Sequence, residues 1–196
     1  MTIPSSMTEL EAVNILLTTI GEAPINTLAG NQVVDVAVAK QVLNEVSREV
    51  QSQGWHFNTE YDVPLTPNID QQISIPFNTA RIDVTGMDVV QRDGLLFDLK
   101  DRSFTFTNVI KAEIVYYQDF EVIPDTAKRY IVVRAARIFA DRMINSETTH
   151  QFTLRDEQKA LIDLKEFEGD TGDFNVLNST SVARVIGGRL NSRRIF

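Results

Sequence analysis

Residues 52–58 read SQGWHFN, with the chain's one tryptophan at 55, one of its two histidines at 56, and a glycine directly before them. On the N-terminal side apolar residues recur at helical spacing. Val36, Ala39, Leu43, Val46 and Val50 share one face of a helix from about Asp35 to Gln53, and Gly54 stands where a left-handed cap would end it. On the C-terminal side the period drops to two, placing Trp55, Phe57, Thr59, Tyr61 and Val63 on one face of an extended segment. The stretch therefore predicts a junction between helix and strand, with Gly54 as the cap and Trp55 packed over the seam beside Phe57. A lone tryptophan is more often such a seam residue than a ligand platform.

Working outward, Thr8 and Glu11 make a capping box, and Leu10, Val13, Leu17 and Ile20 continue a first helix until Gly21 and Pro24 stop it. After the junction, short strands are predicted at 71–77, 80–84, 94–99, 103–107 and 109–117, with hairpin turns at Asp93-Gly94 and from Asp101 to Ser103. Pro64, Pro67 and Pro76 mark edges or strand ends. Pro124 opens a third helix with Ile131, Ala135, Ile138 and Phe139 as its buried stripe and Lys128, Arg129, Arg134, Arg137 and Arg142 on other faces. A fourth covers roughly Thr153 to Glu168 through Leu154, Leu161, Leu164 and Phe167. Beyond Gly169 no period is sustained, and the chain reads as an extended arm.

The expected fold is α+β. About four helices form a discontinuous bundle from 1–54 and 121–169, a small antiparallel β module is inserted at 55–120, and an extended arm occupies 170–196. The single switch of period at Trp55, reversed after Phe120, places the module at one end of the helical body.

Composition narrows the function classes. The chain has 196 residues, 43% of them hydrophobic and 23% charged, which is the ordinary globular range with enough length for a sizeable core. It has no cysteine, which removes disulfides, thiolate metal sites and a thiol nucleophile. No signal peptide or apolar run of membrane-spanning length is expected. Net charge is −8, but four of the 19 basic residues and none of the 27 acidic ones follow Asp173, so an acidic body of −12 carries a +4 tail.

The chemistry-bearing residues are sparse. His56 and His150 lie far apart without a metal-binding motif, no glycine-rich phosphate loop is present, and no catalytic residue or cofactor is expected. The enzymatic alternative is a polysaccharide hydrolase, which needs only paired carboxylates, but no sugar-stacking aromatic cluster accompanies a candidate pair. The basic residues of the third helix are spread around it and partly neutralised by Asp125 and Asp141, a pattern that suits salt bridges between subunits better than a DNA face. Arg129, Arg134, Arg137 and Arg142 are the inter-subunit candidates.

Three blocks, IGEAPINTLAG at 20–30, VLNEVSREVQSQGWHFN at 42–58 and PDTAKRYIVVRAARIFADR at 124–142, resemble those of the tail tubular protein A family of T7-like short-tailed bacteriophages. The resemblance covers most of the chain, is most specific at GWHFN, and weakens through about 62–115 and in the tail. It implies a structural virion protein, not an enzyme, assembled in the host cytoplasm and carried in the virion tail. The family forms a twelve-copy adaptor ring between the portal protein and the tail nozzle (tail tubular protein B), with tail fibres nearby and genomic DNA passing through without sequence-specific binding. In that setting the arm is expected to dock on the portal through Arg184, Arg189, Arg193 and Arg194, anchored by Val185, Ile186, Leu190, Ile195 and Phe196. An acidic lumen would repel passing phosphates, with Asp83, Asp88, Asp93, Asp98 and Asp101 as residues to inspect.

Overall fold

The structure, a computed structural model of the chain, describes residues 5–30, 33–144 and 147–171, with 147–153 described by backbone alone. Four α-helices, α1 (Glu9–Thr19), α2 (Val34–Gln51), α3 (Asp125–Met143) and α4 (Glu147–Thr171), flank five strands in an α+β fold. The arm positions Arg184, Val185, Ile186, Arg189, Leu190, Arg193, Arg194, Ile195 and Phe196 lie outside the described residues.

The helices follow from their apolar spacing and their ends. Thr8 caps α1 as anticipated: its hydroxyl accepts from Glu11 N–H, and Glu11 reaches back to Thr8 N–H at 2.8 Å. Each of α1, α2 and α3 packs against the other two, and α4 packs chiefly against α3. Leu16, Leu17, Leu43, Ile131 and Phe139 are fully buried in the resulting core, each contributing about 1.5–3 kcal/mol by leaving water. The fourth helix begins six residues before the expected Thr153 and runs three past the expected Glu168, so its last two residues, Asp170 and Thr171, are helical rather than part of an extended arm.

Between α2 and α3 the chain forms β1 (Thr59–Leu65), β2 (Thr79–Asp83), β3 (Val89–Arg92), β4 (Leu95–Asp98) and β5 (Ile110–Tyr116). The first three-stranded sheet has the order β1-β5-β2, antiparallel throughout, and β3 pairs with β4 in a separate hairpin. Asp93 and Gly94 form its two-residue turn with φ of 51° and 74°, both left-handed as a type I′ turn requires. A second, smaller core of Leu65, Ile73, Ile75, Val84, Leu96, Phe106, Ala112 and Ile114 fills the space between these sheets.

Several strand expectations are corrected. Segments 71–77 and 103–107 hold one bridge each, Ser74 to Leu95 and Asp98 to Ser103, whereas Val89–Arg92 forms an unanticipated strand. Isolated apolar residues in 71–77 pack inward without a continuous partner strand. The alternation from Trp55 to Val63 also fails. Residues His56–Asn58 form a 3₁₀ turn, and a bulge between Glu60 and Val63, with Asp62 at φ 56°, resets the faces. Trp55 and Phe57 consequently join the helical core, Val63 joins the small one, and Tyr61 is exposed.

Candidate functional site

The junction is built from backbone conformation first. Gly54 adopts φ +78°, and its N–H donates to Gln51 O at 3.2 Å. A Cβ here would lie 3.0 Å from Arg81 Nη2 and 3.2 Å from Val115 Cγ2, so the glycine also permits close approach of α2 to the sheet. Trp55 turns back over the helix end, its indole N–H donating to Val50 O at 2.7 Å, which satisfies one of the terminal carbonyls left open.

A polar clasp absent from the sequence expectations closes the junction. Buried Gln51 donates to Gln118 O at 3.0 Å and accepts from Gln118 N–H at 2.7 Å. Asn58, also buried, donates to Gln51 O and Tyr116 O at 2.9 and 2.8 Å, and Gln118 donates to Phe57 O at 3.1 Å. The chain leaving α2 and the chain returning from β5 are thereby tied together side by side. The available signal was the pair Ser47 and Gln51 on the otherwise apolar face of α2. They bond each other at 3.0 Å. Near the end of α4, buried Glu168 accepts the His56 N–H, bringing that helix to the same junction.

Three of the four candidate arginines are engaged within the subunit. Arg134 pairs with Glu49 at 2.5 Å and Glu157 at 3.1 Å; Arg137 pairs with the other Glu157 oxygen and with Asp141 at 3.3 Å; Arg142 forms a two-pronged bond to Glu45 at 3.0 Å on each branch. Burial works against the charge of Arg134, but Tyr130 and the two carboxylates outweigh it, so its pKa lies above the ordinary arginine value. The Glu157 hydrogen bond likewise holds Arg137 above it. Arg129 is exposed and has no ion pair among the described residues.

Lys128 is corrected outright: expected on an outer face, it is 0% exposed. The N-terminal segment covers it, and its ammonium donates to Ser6 Oγ at 2.6 Å and Glu121 O at 2.9 Å, with the Phe120 ring 5.6 Å away. Helical periodicity cannot register a cover supplied by residues outside the helix.

The buried carboxylates also have structural partners. Asp98 accepts from Lys100 and Asp101 N–H at 2.8 and 3.0 Å, closing the turn before Ser103, and so is removed from the lumen-facing candidates. Asp83, Asp88, Asp93 and Asp101 are exposed. The His56 side chain is exposed, and the His150 side chain lies outside the described residues. Among the described residues no group of three His, Asp or Glu could hold a metal ion, and no helix is long and apolar enough to cross a membrane.

Comparison with known proteins adds two findings. A family model described as tail tubular protein matches residues 10–174, spanning all four helices and all five strands. Over 127 residues the chain is 30% identical to tail tubular protein A of Klebsiella phage KP34, a match covering 64% of this chain and 67% of that protein.

Proposed function

The chain belongs to the tail tubular protein family, a component of the phage tail, and from that membership we propose that it forms the head–tail adaptor ring between portal protein and tail nozzle. The observation that carries this reading is the match through both the helical and β segments, 10–174. In this proposal the discontinuous helical body, 1–54 and 121–169, is a rigid wedge, the β module at 55–120 faces the nozzle and fibres, and the arm at 170–196 docks on the portal. The role is structural, not enzymatic.

The clasp at Gln51, Asn58 and Gln118 supports the wedge, since a subunit bearing load between two partners needs its body and module held in register. The acidic surface suits a conduit. Asp83, Asp88, Asp93 and Asp101, wherever they face the lumen, would repel DNA phosphates and prevent adhesion during passage. Arg134, Arg137 and Arg142 primarily tie helices together, leaving Arg129 as the strongest of the four for a neighbouring subunit.

Mass photometry of the purified full chain mixed with portal rings from the same phage tests the proposal. Saturable addition of about twelve copies per portal supports it, and loss of binding when the chain stops at Asp173 assigns docking to the arm. Absence of any addition refutes the adaptor role; undiminished binding after truncation refutes only the role of the arm.

A further inference from the structure

Two surface features have no partner among the described residues. Phe77 is 99% exposed, yet its base is firm: Thr79 N–H donates to Pro76 O, and Asn78 exchanges bonds of 2.7 and 3.1 Å with Tyr117. It rims a groove of about 1050 Å³ over the outer face of α2, together with Asp119, an exposed acid without an ion pair among the described residues. The second feature is a groove of about 610 Å³ between α1 and α3, with Met7 and Ile15 as its apolar wall. Of its charged residues, Glu11 is used by the Thr8 cap and Asp125 by Ser6 and Met7, which leaves Arg129 as the available charge.

We propose that these are two halves of one contact between neighbouring copies. Phe77 of one copy seats between Met7 and Ile15 of the next, while Asp119 pairs with Arg129. The occupant of the α1–α3 groove is thus a second copy of this chain, and the inference rests on the ring reading above.

Position and chemistry agree. The two features stand on different parts of the body, Phe77 beside the groove over α2 and the slot between α1 and α3, so one copy can offer its knob to the slot of the next, as a head-to-tail interface requires. Rotation about a ring axis also preserves height. Both features lie at the junction end of the body: Phe77 beside the end of α2, and the groove at the N-terminal ends of α1 and α3, which Glu9 N–H to Glu121 and Ser6 to Asp125 hold together. An apolar knob with an adjacent acid meets an apolar slot with an adjacent cation. A fully buried aromatic anchor beside a charge pair is the usual pattern of an interface hot spot.

The lack of native cysteine permits a direct test on the full chain. F77C and I15C variants, mixed under mild oxidation, are expected to give a 77–15 disulfide dimer at least tenfold above either variant alone, since a disulfide needs Cα atoms about 4.4–6.8 Å apart. By mass photometry of the cysteine-free chain, D119R and R129D are each expected to weaken self-association about tenfold, and the chain carrying both to regain it. Assembly without the 77–15 link, or 77–77 links from F77C alone, overturns the contact and leaves the ring standing. Failure of the double charge swap overturns the Asp119–Arg129 pairing. A chain that stays monomeric at every concentration and also adds no copies to portal rings overturns both the ring reading and this contact.

Discussion

Glu157→Ala is expected to loosen α4 from the body by a calculable amount. The carboxylate, 9% exposed, lies between Arg134 and Arg137, whose side chains are 23% and 17% exposed. Deleting one partner of a fully buried ion pair costs about 3–5 kcal/mol. Here each guanidinium retains a second carboxylate, Glu49 or Asp141, and some contact with water, so the expected loss is about 2–3 kcal/mol. For a chain of this length that lowers Tm by about 4–12 °C. Urea unfolding measures the loss, with Glu166→Ala on the exposed face as a control expected within about 0.5 kcal/mol. Hydrogen exchange should locate the weakening in α4 before α1 and α2, because α4 packs chiefly on α3. A double-mutant cycle with Arg137→Ala should show coupling above about 0.5 kcal/mol. Equal stability of Glu157→Ala and the parent chain, or a loss without that coupling, would refute the assignment of this network as the tie between α3 and α4.

Gly54→Ala is expected to cost about 2 kcal/mol, combining the left-handed penalty of about 1–2 kcal/mol with contact against Val115, and an unchanged Tm would show that the junction backbone relaxes freely. Acid should release the N-terminal segment. The Ser6 hydroxyl bond, helped by Met7 N–H and Lys128, holds the Asp125 carboxyl below its ordinary value, so the folded chain resists a proton that the unfolded chain accepts. That stabilisation is complete above the ordinary carboxylate range and disappears as pH falls through the lowered folded value, below about pH 4. The protection factor of the Met7 amide should therefore fall below that pH, and Asp125→Asn should show the loss already at neutral pH; identical profiles for the two chains would count against the tie from Asp125 to the N-terminal segment.

The helices were legible because each buries a stripe, and a stripe leaves a period in the sequence. Gly54 was legible because few residues tolerate its conformation, and Asp93-Gly94 for the same reason. The strands were harder: in 71–77 the inward residues Ile73 and Ile75 mimic alternation although the segment makes a single bridge, while Val89–Arg92 is too short to display one. The charged residues were hardest, because their partners come from other elements. Nothing within α3 announces that Arg142 faces Glu45 of α2, 97 residues away, or that Lys128 is covered by the segment holding Ser6. Gln51 left a partial trace as a polar residue on an apolar face, but its partner Gln118 left none.

The Gln51–Gln118 clasp has a consequence for the order in which the chain can fold. Its partners are 67 residues apart, and bringing such ends together from an open loop costs about 3.7 kcal/mol of chain entropy. Once β1 and β5 have paired, with Thr59 opposite Val115, the loop remaining to be closed shrinks to about 11 residues and its cost to about 2.1 kcal/mol. The difference is roughly fifteenfold in the probability of encounter. The sheet thus acts as a splint for its own flanks, favouring the delivery of α3 to α1 and α2 after β5 has paired.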